Sequence, residues 1–281
     1  MSVAPVSFVA LVYHDVDTAG GAGYGPIGRS ATMYHVSEEA FVRQVGLVET
    51  SGLDVLGLDA LRQRLSDRDR SGSTARPGVA LCFDDGWRGA VERAAVVLAE
   101  RRLPAFFFVT TDFVGRPLFA TPGDLRRLEP ALCTVGSHGV THRMLSSLRP
   151  EEIRRELTES KARLEDLLGR PVTTLSVPGG AVDRHVQALA EAAGYTEIFT
   201  SMVGVNPTRL GRRNIARIGV RASTDDETFR RWLAFRLERE RARAGMLAVP
   251  KRLLGMRGYS RLRRLLLGEG DGSGHRHVFD P

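Results

Sequence analysis

The sequence predicts an α/β fold built on parallel strands. Short runs that are apolar on both faces recur along the chain, at residues 7–13, 79–83, 105–110, 132–136, 172–177, 197–201 and 215–220. Helix-length segments separate them, as expected for parallel strands covered by crossover helices. The 281 residues, 42% of them hydrophobic, suffice for one large domain or one domain with a small appendage.

The clearest helix is predicted over residues 150–168. Pro150 suits a first turn, and Ile153, Leu157, Leu164, Leu167 and Leu168 make one apolar stripe. Gly169 stands where the helix should stop, with Pro171 behind it. Further helices are predicted at 38–50, 88–102 and 183–193, with Asp183 reading as the cap of the last. Residues 18–32 are Gly-rich without a phosphate-binding spacing and read as a surface loop, a flap over a site being the alternative. Residues 65–76 read as a solvated connection.

After Thr228 the pattern changes to basic helices, at 229–243 and 257–267, followed by a tail expected to be disordered. The expected division is a catalytic domain over 1–233 and a basic helical extension with tail over 234–281.

The formal net charge is +7 and almost all of the basic side is arginine. No basic stripe interleaved with aromatics is present, which argues against nucleic acid as a partner. The C-terminal helices carry leucine faces. Packing on the domain is the plain reading, and peripheral contact with an anionic membrane surface is the sharper one. Neither Cys82 nor Cys133 lies in a paired motif, so both read as core residues. The apolar start reads as a strand rather than a signal peptide. The expected location is therefore the cytoplasm, or the inner face of the membrane if the helices dock there.

Three motifs carry chemistry, each after a predicted strand. Residues 81–86 (LCFDDG) end a strand in two carboxylates and a glycine. Adjacent aspartates point in different directions, so one can hold a metal while the other reaches a water; an Asp-Gly turn is the plain alternative. Residues 136–142 (GSHGVTH) place two histidines four apart, able to meet one cation if the backbone curls. Two imidazoles and one carboxylate form a three-ligand set with an open position, as catalytic zinc sites do. Residues 176–180 (SVPGG) bring a Pro and two glycines to a strand end, where a backbone N–H can approach a ligand or simply form a tight turn.

In this order and spacing the motifs resemble the polysaccharide deacetylase family, the NodB-homology domain or carbohydrate esterase family 4, across residues 8–233. Tyr13-His14, residues 105–109 (AFFFV), residues 156–169 and Ala193-Gly194-Tyr195 extend the likeness. The resemblance implies a distorted (β/α) barrel with fewer than eight strands. It implies Asp84 as general base, and Asp85, His138 and His142 as ligands of a divalent metal, Zn²⁺ first with Co²⁺ or Ni²⁺ as alternatives. It implies the Gly179 N–H as oxyanion donor and an N-acetylated carbohydrate as substrate.

The sequence departs from the family pattern in two places that matter. Ser176 stands where an arginine usually orients the base. The late segment 214–220 (NIARIGV) lacks the usual acid histidine; Arg217 lies there but stays charged and is a poor proton donor. His14, ending the first strand, is the substitute acid this reading selects, a mere hydrogen-bonding role being the alternative. His275 and His277 carry little weight. The expected function is metal-dependent removal of an N-acetyl group from a sugar in a polysaccharide or its precursor. The alternatives are a deacetylase of a small natural-product conjugate and a sugar-binding relative without strong turnover.

Overall fold

The computed structural model describes residues 7–17, 32–66, 76–207 and 214–246. The expected helix at 257–267, the tail with His275 and His277, and all but the last residue of the Gly-rich stretch lie outside them.

The seven predicted strands are all present and run parallel. They are β1 (Phe8–Tyr13), β5 (Gly78–Phe83), β6 (Ala105–Val109), β7 (Cys133–Ser137), β8 (Thr174–Ser176), β9 (Glu197–Phe199) and a last segment split into β10 (Asn214–Ile215) and β11 (Ile218–Gly219). The order across the sheet is β10-β9-β8-β7-β6-β5-β1-β11. Because β10 pairs with β9 while β11 pairs with β1, one chain segment joins both edges of the sheet. The architecture is the expected distorted (β/α) barrel. The break between β10 and β11 is held by the Asn206 side chain, which bonds the N–H and the carbonyl of Ala216 at 2.8 Å each.

Both strand faces are buried, which explains the unbroken apolar runs. In β1, Phe8, Ala10 and Val12 join one core with Ala80, Cys82, Phe106, Phe108, Phe199 and Ile215. Val9, Leu11 and Tyr13 join the other, beneath the helices. Each buried aromatic ring contributes roughly 1.5–3 kcal/mol. Alternating sides with a period of two thus separates the barrel interior from the helix layer.

The helices are α1 (Glu38–Thr50), α2 (Leu58–Ser66), α3 (Ala95–Glu100), α4 (Pro122–Arg127), α5 (Pro150–Leu168), α6 (Arg184–Ala192) and α7 (Asp226–Leu233). Gly169 ends α5 in the left-handed region at φ 64°. Asp183 caps α6 by accepting from the N–H groups of His185 and Val186. The predicted helix at 88–102 starts at residue 88 and widens into a π-turn over Ala90–Ala94 before α3. The predicted helix at 229–243 is broken: α7 ends at Leu233, Phe235 takes φ 62°, and helix resumes over residues 238–246.

Several elements were not anticipated, the short helix α4 among them. Helix α2 takes Leu65 and Ser66 from the expected connection; its Leu61 enters the interior core, and Arg62 reaches Glu197 and Thr173 at the start of the β8–β9 pair. A short β4 (Asp54–Val55) pairs with β5. β2 (Asp15–Asp17) and β3 (His35–Ser37) form a separate parallel pair.

Candidate active site

The motifs converge at the C-terminal ends of the strands, where parallel α/β folds build their sites. After β5 the chain turns sharply, and Asp85 takes φ 72°, a strained value for a residue with a Cβ. The turn sends neighbouring carboxylates to different places. Asp85 Oδ1 lies 3.3 Å from His138 Nε2 and 3.1 Å from His142 Nε2. Its Oδ2 accepts a hydrogen bond from Trp87 Nε1 at 3.0 Å. Trp87 is seated edge-on to the buried His35, so the unanticipated β2–β3 pair backs Asp85 through Trp87.

His138 reaches the cluster from the end of β7. Its Nδ1 meets the Ser176 carbonyl at 2.7 Å, which fixes the tautomer with hydrogen on Nδ1 and leaves the Nε2 lone pair facing Asp85. His142 follows a loop that curls as the spacing requires, with Gly139 at φ 79° and His142 itself at φ 62°. Glu156 of α5 holds this loop, accepting from the N–H groups of Val140 at 2.7 Å and Thr141 at 3.0 Å and from the Thr141 hydroxyl. Among the described residues Asp85, His138 and His142 are the one group of three suited to a metal ion, their ligand atoms all within 4.8 Å of one another. The donor set fits a cation: a carboxylate oxygen and an imidazole lone pair that face each other at this distance repel unless positive charge lies between them.

Asp84 points into the barrel and meets Arg217. Nη1 of Arg217 donates to Oδ1 at 2.8 Å, and Nη2 to Oδ2 at 2.8 Å. The Ser176 hydroxyl donates to Oδ2 at 3.1 Å and accepts from Arg217 Nη2 at 2.9 Å. Arg217 Nε is held by the Thr200 carbonyl, and the guanidinium lies over the rings of Phe108 and Phe199 at 5.8 and 5.9 Å. Thus an arginine at the β10–β11 break stands on the base-candidate aspartate, with Ser176 filling the space beside it.

Electrostatics follow from this packing. Burial pushes the Asp84 carboxyl up, but the Arg217 guanidinium and His138 outweigh it, and the group sits below the usual carboxylate range. Burial acts the same way on Asp85, and the facing imidazoles, when they carry a proton toward it, outweigh burial and hold it well below that range. His14, at the end of β1, is lowered by burial against the upward pull of Asp85 and Asp84. Its Nδ1 is buried with no hydrogen-bond partner, and its ring lies against Tyr34 with centroids 4.5 Å apart. Gly179 and Gly180 take φ 68° and 69° after β8, and a Cβ on Gly180 would run into Ser201.

The structure therefore brings Asp85, His138 and His142 together and places Asp84, His14 and Gly179 at neighbouring strand ends. Sequence reasoning missed the contacts of Arg217, Glu156 and Trp87. A signal existed for the first: an arginine in an apolar strand segment needs a buried carboxylate. The other two lacked one, because Glu156 reads as an ordinary helix residue.

Residues 71–198 match the sequence model of the polysaccharide deacetylase family. The YxkH protein of Bacillus subtilis (strain 168) is 23% identical over 151 residues, 54% of each chain. The chitooligosaccharide deacetylase of Rhizobium leguminosarum bv. phaseoli is 31% identical over 98 residues, 34% of this chain and 42% of that one. The chain spans about half the length of the first curated relatives it matches, 54% and 50%. Among solved structures, the Streptococcus pyogenes deacetylase PplD in complex with acetate superposes with a TM-score of 0.69 at 20% identity, covering 80% of this chain and 96% of that one. That likeness speaks for the fold. Residues 71–198 are thus similar to the polysaccharide deacetylase family, and the site described above lies on strands of that matched stretch and its flanks.

Proposed function

We propose that this protein is a metal-dependent hydrolase that removes an N-acetyl group from a sugar in a polysaccharide or its precursor. The observation that carries the reading is the pairing of a three-ligand cation site with a second, differently held carboxylate from the adjacent residue. The name of the Rhizobium relative and the match of residues 71–198 to the family's sequence model support the substrate class.

A divalent cation held by Asp85, His138 and His142, Zn²⁺ first with Co²⁺ or Ni²⁺ as alternatives, supplies Lewis acidity for the acetyl carbonyl and acidifies a water. The chain's own residues do the rest. A carboxylate has about four acceptor sites. The two guanidinium nitrogens and Ser176 engage three on Asp84, leaving one on Oδ1 for the attacking water. Asp84 takes the proton as water adds to the carbonyl carbon. The Gly179 N–H meets the oxygen that becomes negative. The C–N bond then breaks, acetate leaves, and the amine nitrogen gains a proton.

His14 is the residue this reading assigns to proton delivery. Its burial and unpartnered Nδ1 support the assignment. With its pKa lowered, the resting ring is neutral, so it donates after receiving the proton that Asp84 has taken from water. Removing a base or an oxyanion donor typically costs about 10²–10⁴ in rate.

The test is acetate release from a panel of N-acetylated oligosaccharides and monosaccharide conjugates with Zn²⁺ or Co²⁺ added. Release that disappears in Asp84→Asn supports the reading. A protein that carries metal yet releases acetate from no member of the panel contradicts it. If His14→Ala leaves the rate unchanged, the assignment of His14 is wrong.

A further inference from the structure

Two guanidinium groups near the site are placed in the same way. Arg221, just beyond β11, lies over the Tyr34 ring at 5.7 Å, and that ring lies against His14. Arg116, in the loop beyond β6, lies over the Phe113 ring at 5.5 Å, and that ring stands 5.9 Å from His142. Each arginine is thus one aromatic ring away from a histidine of the site. Both are half-buried, and neither has a carboxylate partner among the described residues. Several nearby acids are engaged elsewhere. Asp112 is paired with Arg163, Glu152 with Arg143 and Arg149, while Asp183 and Asp225 cap helices. Residues 18–31, between β2 and Tyr34, contain one arginine and no Asp or Glu.

A site built for a neutral sugar has no use for unneutralised guanidinium groups one aromatic ring away from two of its histidines. Planar forks of this kind match the paired oxygens of phosphate or carboxylate, and the aromatic faces hold the forks in place while leaving their N–H edges free. We propose that the acetamido sugar processed here bears an oxyanion, and that Arg221 and Arg116 recognise it. This rests on the deacetylase reading and narrows it to a substrate such as a phosphorylated or pyrophosphate-linked sugar, or a uronate-containing one. The arginines bind the charge; the chemistry stays with the residues beneath them.

The experiment compares acetate release by the 281-residue, Zn²⁺-loaded protein from four substrates. These are a neutral N-acetylhexosamine oligomer, an N-acetylhexosamine 1-phosphate, a nucleoside-diphosphate ester of the same sugar, and an oligomer alternating that sugar with a uronate. The expected result is a KM at least about tenfold lower for one oxyanion-bearing class than for the neutral oligomer, the advantage shrinking as salt rises. The phosphate and uronate arms identify the anion. Arg221→Gln and Arg116→Gln should each raise that KM about tenfold with little change in kcat, with partial recovery in Arg221→Lys. Arg155→Gln, on the exposed side of α5, serves as the charge control and should change nothing. Equal or better turnover of the neutral oligomer, with KM indifferent to both arginines, overturns the proposal and leaves the deacetylase reading standing. Acetate from none of the four substrates overturns both.

Discussion

Arg217 and Asp84 form a two-pronged ion pair buried inside the barrel, 133 residues apart in sequence and 2.8 Å apart at both prongs. Both side chains are almost wholly shielded from water. Such a pair adds little net stability, yet breaking it is costly because a charge is left alone. Its value here is orientation: the fork fixes the plane of the carboxylate beside the cation site.

Arg217→Gln should therefore impair both the fold and the rate. Leaving Asp84 unpaired costs about 3–5 kcal/mol, read as a lowered midpoint in denaturant. With the guanidinium gone, the upward push of burial is less opposed, so Asp84 protonates at higher pH. The Asp84 contribution to stability is present above its unfolded pKa, near ~4, and is lost as pH falls through its depressed folded value. The variant should accordingly lose the acid side of its pH–rate profile at higher pH than the parent. Arg217→Lys keeps the charge and loses the fork; it should fold better than Arg217→Gln and still show a reduced kcat. An unshifted acid limb in both variants speaks against a positioning role.

Much of this was legible in the residues and some was not. The seven strands and the helix α5 declare themselves because each is uniformly buried or regularly amphipathic. The ligand set was legible because the motifs are local. Arg217 was weighed as a proton donor and set aside. Its role depends on the return of the last strand to β1, which brings position 217 over the ends of β5 and β8. The β2–β3 pair escaped notice because strands of three residues carrying Asp and His give no period. The break at Phe235 is equally silent: the surrounding residues favour helix, and packing of Leu237 into the core sets the bend.

Glu156 ties three donors of the loop between His138 and His142. Glu156→Gln supplies one acceptor oxygen in place of two and adds donors that face donors. The loop should loosen, and Zn²⁺ affinity should fall about 10–100-fold, read by competition with a chelating dye. Retention of parental affinity would place the loop's rigidity elsewhere.

Gly180 has both a positive φ and Ser201 against the space a Cβ would fill. Gly180→Ala should cost more than about 1 kcal/mol and shift the neighbouring Gly179. Gly180→Ala combined with Ser201→Gly relieves the collision and should recover part of the loss. Thermal unfolding of the three variants measures this, and no recovery in the double variant would assign the cost to φ alone.

Both cysteines are buried and free. Burial pushes the Cys82 thiol up to about 12 and the Cys133 thiol to about 11, so neither carries a useful thiolate fraction at pH 8. A thiol reagent should label neither in the native protein and both after denaturation. Fast native labelling of Cys82 would show that the barrel interior beneath Asp84 is open to water.

The division of labour between two adjacent aspartates is tested most directly by measuring bound Zn²⁺ and acetate release together in the parent, Asp84→Asn and His138→Ala. The account predicts one equivalent of metal and turnover in the parent, metal without turnover in Asp84→Asn, and neither in His138→Ala. Metal lost in Asp84→Asn, or kept at full occupancy in His138→Ala, would contradict it.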